Sequence, residues 1–290
     1  MFQLGDVIDG QYRLVRSIGE GGHGTVYEAE DLDIGAPVAL KFLRSEVADT
    51  PEFATRMRRE ARAMGALSGT AAVQIYAYNR AKNGPMYIVM ELLRGKDFEK
   101  YLRDYERETG RMPRSKVFEL VSPIVDTLDI AHQRGIVHRD VKPANIFVLE
   151  STARGPVRLL DFGLAKDLAS STPLTQDGLV VGSPSYIAPE SWQGKPDRVS
   201  ASADVYALGA VIYRALAGQV PFPADSLIDV VRMSTRGIRP SLHALRPDLP
   251  QAVDAWVARA LAIDPKQRHQ SVRELWISLV GLLGRGGANG

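Results

Sequence analysis

The 290-residue chain contains no cysteine. Disulfides, thiolate metal sites and a cysteine nucleophile are thereby excluded, and a reducing compartment fits. Charge of one sign is also missing: 36 Lys and Arg against 34 Asp and Glu leave a net charge of +2, with the basic residues scattered rather than gathered into a stripe. The electrostatic footprint of a nucleic-acid binder is absent, so no nucleic-acid partner is expected. Long apolar runs are lacking too. The opening MFQLGDVIDG has no basic segment followed by an apolar one, as a secretory leader would. The stretch LWISLVGLLG near the end is too short to span a bilayer. A soluble, cytoplasmic chain with no membrane segment of its own is the expectation.

What is present is ordinary for a globular protein: 45% hydrophobic and 24% charged residues, in a chain long enough for two cores. The texture changes along it, without internal repeats. From Tyr12 to Leu43 the segments YRLVRSI, TVYEAE and PVALKFL are rich in β-branched and aromatic residues and broken by Gly- or Asp-rich turns, which predicts an antiparallel meander. Thr50 followed by Pro51 is a helix start, and Phe53, Met57, Ala61 and Met64 put one apolar face on a helix running to about Leu67. Two more strands, VQIYAY and MYIVMEL, complete a β-rich unit near residue 94.

Helices dominate beyond that point. SKVFELVSPIVDTLDIAHQRG carries Val117, Leu120, Val121, Ile124, Leu128 and Ala131 on one stripe and stops at Gly135. ADVYALGAVIYRALAG is apolar nearly all round and should be buried. The expected organisation is α+β: a small antiparallel-β lobe over 1–94 with one key helix, a larger, mostly helical lobe over 95–283, and a glycine-rich flexible tail over 284–290.

Between helix and hairpin lies GIVHRDVKPANIFVL, residues 135–149, which packs ionisable side chains between apolar stretches that look like short strands. Such groups are seldom buried unless paired or put to use. The pattern His138, Arg139, Asp140, Lys142, Pro143, Asn145 resembles the catalytic loop of protein kinases, the H-R-D-x-K-P-x-N pattern. Six fixed identities at roughly 5% usage arise by chance at about one start position in 10⁸.

Other pieces stand in the order that family requires, from Gly19 to Arg268. GEGGHGTV resembles the glycine-rich loop, and VALK the strand whose lysine, here Lys41, contacts ATP. Glu60 sits three residues after Met57 and four before Met64, a carboxylate on an apolar helix face that calls for a buried cation. Asp161-Phe162-Gly163 resembles the D-F-G triplet, and Ala188-Pro189-Glu190 the A-P-E segment, with Arg268 as the structural partner of Glu190. Asp204 reads as a helix N-cap; the resemblance adds that it holds the catalytic-loop backbone.

The overall likeness is to bacterial, eukaryotic-like serine/threonine kinases. It implies a bilobal kinase fold, ATP and Mg²⁺ as cofactors, and protein substrates bearing Ser or Thr hydroxyls. By the same resemblance Asp140, Lys142, Lys41 and Glu60 are the catalytic set. Ile18, Gly19, Gly21, Gly24, Val26, Ala39, Lys41, Glu91, Leu93, Asp97 and Phe147 bind the nucleotide, and Asn145 and Asp161 hold the metal. Ser183 matches the hydroxyl residue that bridges the catalytic Asp and Lys in serine/threonine kinases. The loop from Leu164 to Val181, with Ser170, Ser171, Thr172 and Thr175, is expected to autophosphorylate, best at Thr175, and to pair its phosphate with Arg139.

The chain departs from the family pattern at His23, where an aromatic is usual, and in LSGTAAVQIY, which lacks His-Pro-Asn before the fourth strand. Met90 makes a bulky gatekeeper. Ala144 stands where basophilic kinases have glutamate, which removes support for a preference for basic sites. Dimerisation is left open. The alternative function is a catalytically silent nucleotide-binding scaffold, disfavoured because no catalytic residue is missing. A small-molecule phosphotransferase is disfavoured because GSPSYIAPE resembles a polypeptide-docking segment.

Overall fold

The structure, a computed structural model, describes residues 2–21, 24–43, 65–82, 84–153, 155–162, 184–193 and 200–284. The chain divides into two compact units, Met1–Arg94 and Gly95–Gly290.

The first unit is built on a six-stranded antiparallel sheet of β1 (Val7–Ile8), β2 (Tyr12–Gly21), β3 (Gly24–Asp31), β4 (Ala36–Phe42), β5 (Ile75–Arg80) and β6 (Met86–Glu91), in the order β1-β2-β3-β4-β6-β5. The meander from Tyr12 onward is present as β2 to β4. The next strand starts at Ile75, two residues later than the VQIYAY segment suggests, and lies at the sheet edge while β6 pairs with β4. Strand alternation sorts the side chains into two faces. Tyr12, Leu14, Tyr27, Ala29, Val38, Leu40, Phe42, Tyr87 and Val89 form the apolar core of one face. The register places Val26 beside Lys41 and Ile88, and Glu28 beside Ala39 and Met90, on the other. Asp9 ties the N-terminal segment down by accepting from the Tyr87 hydroxyl at 2.6 Å and the Lys82 N–H at 3.0 Å.

The hairpin between β2 and β3 depends on a glycine. Gly24 has φ +130°, and a Cβ there would meet the Phe42 carbonyl oxygen well inside 3.0 Å. Residues 50–64 of the helix expected to run to about Leu67, with Glu60 among them, and the hairpin tip His23 lie outside the described residues.

The second unit holds a short three-stranded sheet, β7 (Gly95–Asp97), β8 (Ile146–Leu149) and β9 (Val157–Leu159), with β8 in the middle. Its described helices are α1 (Phe98–Thr109), α2 (Arg114–Gln133), α3 (Ala201–Ala217), α4 (Leu227–Arg236), α5 (Val253–Ala260) and α6 (Val272–Gly284). The predicted stripe on α2 is buried in full, and the helix gives way to Gly135 at φ +72°. Helix α3 is buried at every position from Ala203 to Ala217, packs against α2, α5 and α6, and ends on left-handed Gly218. It is the core of this unit. No described helix is long and apolar enough to cross a membrane.

Candidate active site

The segment 134–145 leaves α2 and carries a 3-10 turn, Pro143–Asn145, before entering β8. Of the two flanking apolar stretches only Ile146–Leu149 is a strand; among the described residues Ile136 and Val137 pair with no strand. The loop is held from below by a buried carboxylate. Asp204, 1% exposed, accepts the His138 N–H on Oδ2 and the Arg139 N–H on Oδ1, both at 2.8 Å. Its Oδ2 also lies 2.8 Å from His132 Nε2 on α2, a third bond that no spacing rule in the sequence announces. Asp204 is therefore not the N-cap of α3. Ser200 caps that helix through Oγ to the Ser202 N–H, and Asp204, four residues on, is free to face the loop.

Those bonds hold a costly backbone. Arg139 has φ +67°, a region that disfavours a residue with Cβ by roughly 1–2 kcal/mol. Two bonds to a buried charge, each worth about 1.5–3 kcal/mol, are enough to offset it. The strained turn aims the next residue, Asp140, into the polar cluster. The Arg139 side chain is half-buried.

Three groups converge on Asp140. Asn145, buried on the turn, donates Nδ2–H to the Asp140 carbonyl and to Oδ2, each at 2.8 Å. Lys142 Nζ lies 2.8 Å from the same Oδ2. The Asp140 N–H points at His138 Nδ1, 3.2 Å away, while His138 Nε2 lies 2.9 Å from the Leu160 carbonyl. An amide can only donate and a carbonyl only accept, so His138 is the neutral tautomer with its proton on Nε2. Complete burial of the ring pushes its pKa down, in keeping with that form.

The same histidine locates the second acidic residue. Leu160 accepts from His138 and donates its own N–H to the Asn145 carbonyl at 2.8 Å, so the residue that follows, Asp161, leaves a fixed point. Asp161 has φ +53°, and Phe162 packs on the His138 ring at 4.5 Å. Asn145 has its Nδ2 engaged with Asp140, which leaves Oδ1 as an oxygen donor. With the Asp161 carboxylate it offers the hard ligands that Mg²⁺ takes alongside phosphate oxygens. Among the described residues no cluster of three or more His, Cys, Asp or Glu could hold a metal by itself.

In the same unit Phe147 is half-buried on β8, and the Asp97 carboxylate caps α1 by accepting the Lys100 N–H at 2.8 Å. Glu190 and Arg268 form the predicted pair, with contacts of 2.8 and 2.6 Å.

In the first unit, Lys41 is only 6% exposed and shares its sheet face with Val26, while Ala39 lies one pair along beside Met90. Ile18 is on β2 and 38% exposed, and Gly19, Gly21 and Gly24 line the hairpin. Glu91 is buried at the end of β6. Among the described residues nothing hydrogen-bonds to the backbone of Leu93, which leaves its N–H and C=O open. Glu60 and its pairing with Lys41, Gly163, the loop 164–181 and Ser183 lie outside the described residues.

Residues 12–276 match the protein kinase domain family. The chain is 38% identical over 275 residues to the serine/threonine-protein kinase PknB of Mycobacterium leprae, covering 93% of this chain and 42% of that protein. It is 35% identical over 276 residues to the probable serine/threonine-protein kinase PknB of Lactococcus lactis, covering 95% and 42%. The chain thus spans less than half the length of these relatives. The crystal structure of the Mycobacterium tuberculosis PknI kinase domain superposes with a TM-score of 0.73 at 30% identity, covering 97% of this chain and 99% of that one. The chain belongs to the protein kinase family and carries a kinase domain of the bacterial, eukaryotic-like serine/threonine type.

Proposed function

We propose that this domain transfers the γ-phosphate of ATP to serine and threonine hydroxyls of protein substrates. The observation that carries the reading is the Asp140 cluster: a carboxylate pinned by Asn145 and Lys142 on a strained loop that Asp204 holds in place. A group fixed so firmly needs little reorganisation when it meets a substrate, which is what phosphoryl transfer asks of a protein. Asp140 orients the attacking hydroxyl and accepts its proton. Lys142, at the same carboxylate, is in place to neutralise charge on the transferred phosphoryl group.

In the first unit, Lys41, held by Glu60, contacts the α- and β-phosphates, and the backbone of Gly19, Gly21 and Gly24 approaches them closely because side chains are absent, while Ile18 just before them also meets the nucleotide. Val26 and Ala39 give adenine an apolar surface, and Glu91 and Leu93 offer backbone hydrogen bonds. In the second unit Phe147 adds apolar contact and Asp97 meets the ribose. Asn145 and Asp161 would hold Mg²⁺, which supplies charge neutralisation on the phosphates when bound. The loop 164–181 autophosphorylates at Thr175, and the reaction runs in the cytoplasm, where ATP is plentiful.

Incubation with labelled ATP, Mg²⁺ and a generic protein substrate tests the reading. Label on Ser and Thr, lost in Asp140→Asn, is expected, and phosphate at Thr175 in mass spectra of active protein. A folded chain that binds nucleotide and transfers nothing would make it a scaffold.

A further inference from the structure

Glu28 does not belong to any catalytic pattern in the sequence, yet it is 8% exposed on β3, on the sheet face that carries Ala39 and Met90. A carboxylate in that position must be paired. Two arginines come to it. Arg94 binds it with both prongs, Nη2 to Oε1 at 2.7 Å and Nη1 to Oε2 at 3.2 Å, and Arg16 on β2 adds Nε to Oε2 at 2.7 Å. The arginine side chains remain about half exposed while that of Glu28 is 11% exposed, so the carboxylate is the fixed member. The hydrogen bond from Arg94, foremost, holds the Glu28 carboxyl below its usual range.

Arg94 is the last residue of the first unit and directly follows Leu93. Upstream, Glu91 is fixed as well: its N–H donates to the Gln74 carbonyl at 2.9 Å, and its Oε1 accepts the Gln74 N–H at 2.8 Å. Leu92 and Leu93 therefore run between two pins. Two residues span only about 7 Å at full extension, so pins this close dictate where the Leu93 peptide groups point.

We infer that Glu28, gripping Arg94 with the help of Arg16, is a positioning latch that presents the Leu93 backbone edge to the adenine of the nucleotide. This rests on the kinase reading above. An isolated exposed ion pair contributes little and has no further consequence. Here the carboxylate is buried, the Arg94 contact is two-pronged, and the pinned residue adjoins a free backbone edge. Without the latch Leu93 samples other orientations, and apparent affinity falls by the fraction of time it is competent.

The test uses the 290-residue chain and adenosine, which lacks phosphates and so reports on the adenine and ribose contacts alone. Arg94→Ala and Glu28→Gln are each expected to weaken adenosine binding in calorimetry by roughly 5- to 10-fold and to raise KM for ATP alike, with kcat at saturating ATP held within about twofold. Arg94→Lys keeps the charge but loses the second prong and should fall between. The double variant should be no worse than either single change, because one latch can be lost only once. Adenosine affinities equal to the parent's, or a kcat and Tm that fall together with KM unmoved, overturn the latch. Should Glu28→Gln fail to fold, the half-exposed Arg94 still decides. A parent chain that binds no adenosine and transfers no phosphate overturns the kinase reading itself, and the latch with it.

Discussion

Arg268 and Glu190 meet in a two-pronged ion pair, Nη1 to Oε1 at 2.8 Å and Nη2 to Oε2 at 2.6 Å, with the arginine wholly buried. The same guanidinium donates to the carbonyls of Ala262, Ser202 and Ile263 and lies over the Tyr206 ring. Removing one partner strands the other charge. Arg268→Met should cost about 3–5 kcal/mol in urea unfolding. A loss under 1 kcal/mol would show that Glu190 finds water when its partner leaves.

Asp140→Asn and Asp161→Asn should both be nearly inactive, for separable reasons. In the proposed reaction Asp140 meets the hydroxyl and not the nucleotide, so its amide should lower kcat by ~10²- to 10⁴-fold and leave nucleotide affinity near the parent value. That is a barrier increase of roughly 3–5 kcal/mol. Asp161→Asn should instead weaken nucleotide binding only when Mg²⁺ is present. Titrations of each variant with and without Mg²⁺ separate them, and equal losses in both would undo the assignment.

Much of this was readable beforehand because it is local or periodic. The α2 stripe from Val117 to Ala131 follows from 3.6-residue spacing, and the likeness of 138–145 to a catalytic loop from a fixed string of residues. The Arg268–Glu190 pair was legible only through family resemblance, since 78 positions separate its members. Glu28 and Arg94, 66 positions apart, had no such guide and were missed. Asp204 reads locally as a cap because a carboxylate near a helix start has two uses; the fold gives the cap to Ser200 and leaves Asp204 the loop-holding role that the resemblance implies. The edge position of β5 was equally hidden: alternation assigns faces within a strand but not its neighbours.

Gly95 has φ +146°, and a Cβ there would press on the Val148 carbonyl oxygen, which belongs to the paired strand β8 and cannot step aside. Gly95→Ala should cost about 3 kcal/mol or more. Gly35, at φ +65° with nothing near its missing Cβ, is the control, and its alanine should cost only about 1–2 kcal/mol. Thermal unfolding of the two side by side checks the difference. Equal losses would mean that backbone strain, not the clash, decides.

His269 is 2% exposed, neither ring nitrogen has a hydrogen-bond partner, and the nearest carboxylate, Glu274, is 3.8 Å from Nδ1. Burial, with Arg259 nearby, pushes its pKa down to about 4. An unfolded histidine titrates near 6.5, so between these values the unfolded chain takes up a proton that the folded one refuses, and stability falls as pH drops. The loss should reach roughly 2–3 kcal/mol by pH 4. His138 shifts in the same direction, so the comparison is with His269→Leu: the parent's urea midpoint should fall relative to the variant's from pH 7 toward 4.5. Parallel curves would rule His269 out as the source.

Helix α3, dry on all sides from Ala203 to Ala217, has no face that could meet water. Cut from its surroundings such a segment would clump before it coiled, so it can persist as a helix only once α2, α5 and α6 enclose it. Its peptide protons can then be released only by opening the whole second unit. They should be the slowest in the protein to exchange with deuterium, at a rate that reports the global stability of that unit, whereas protons on the outward side of α4 or α6 trade sooner through local fraying.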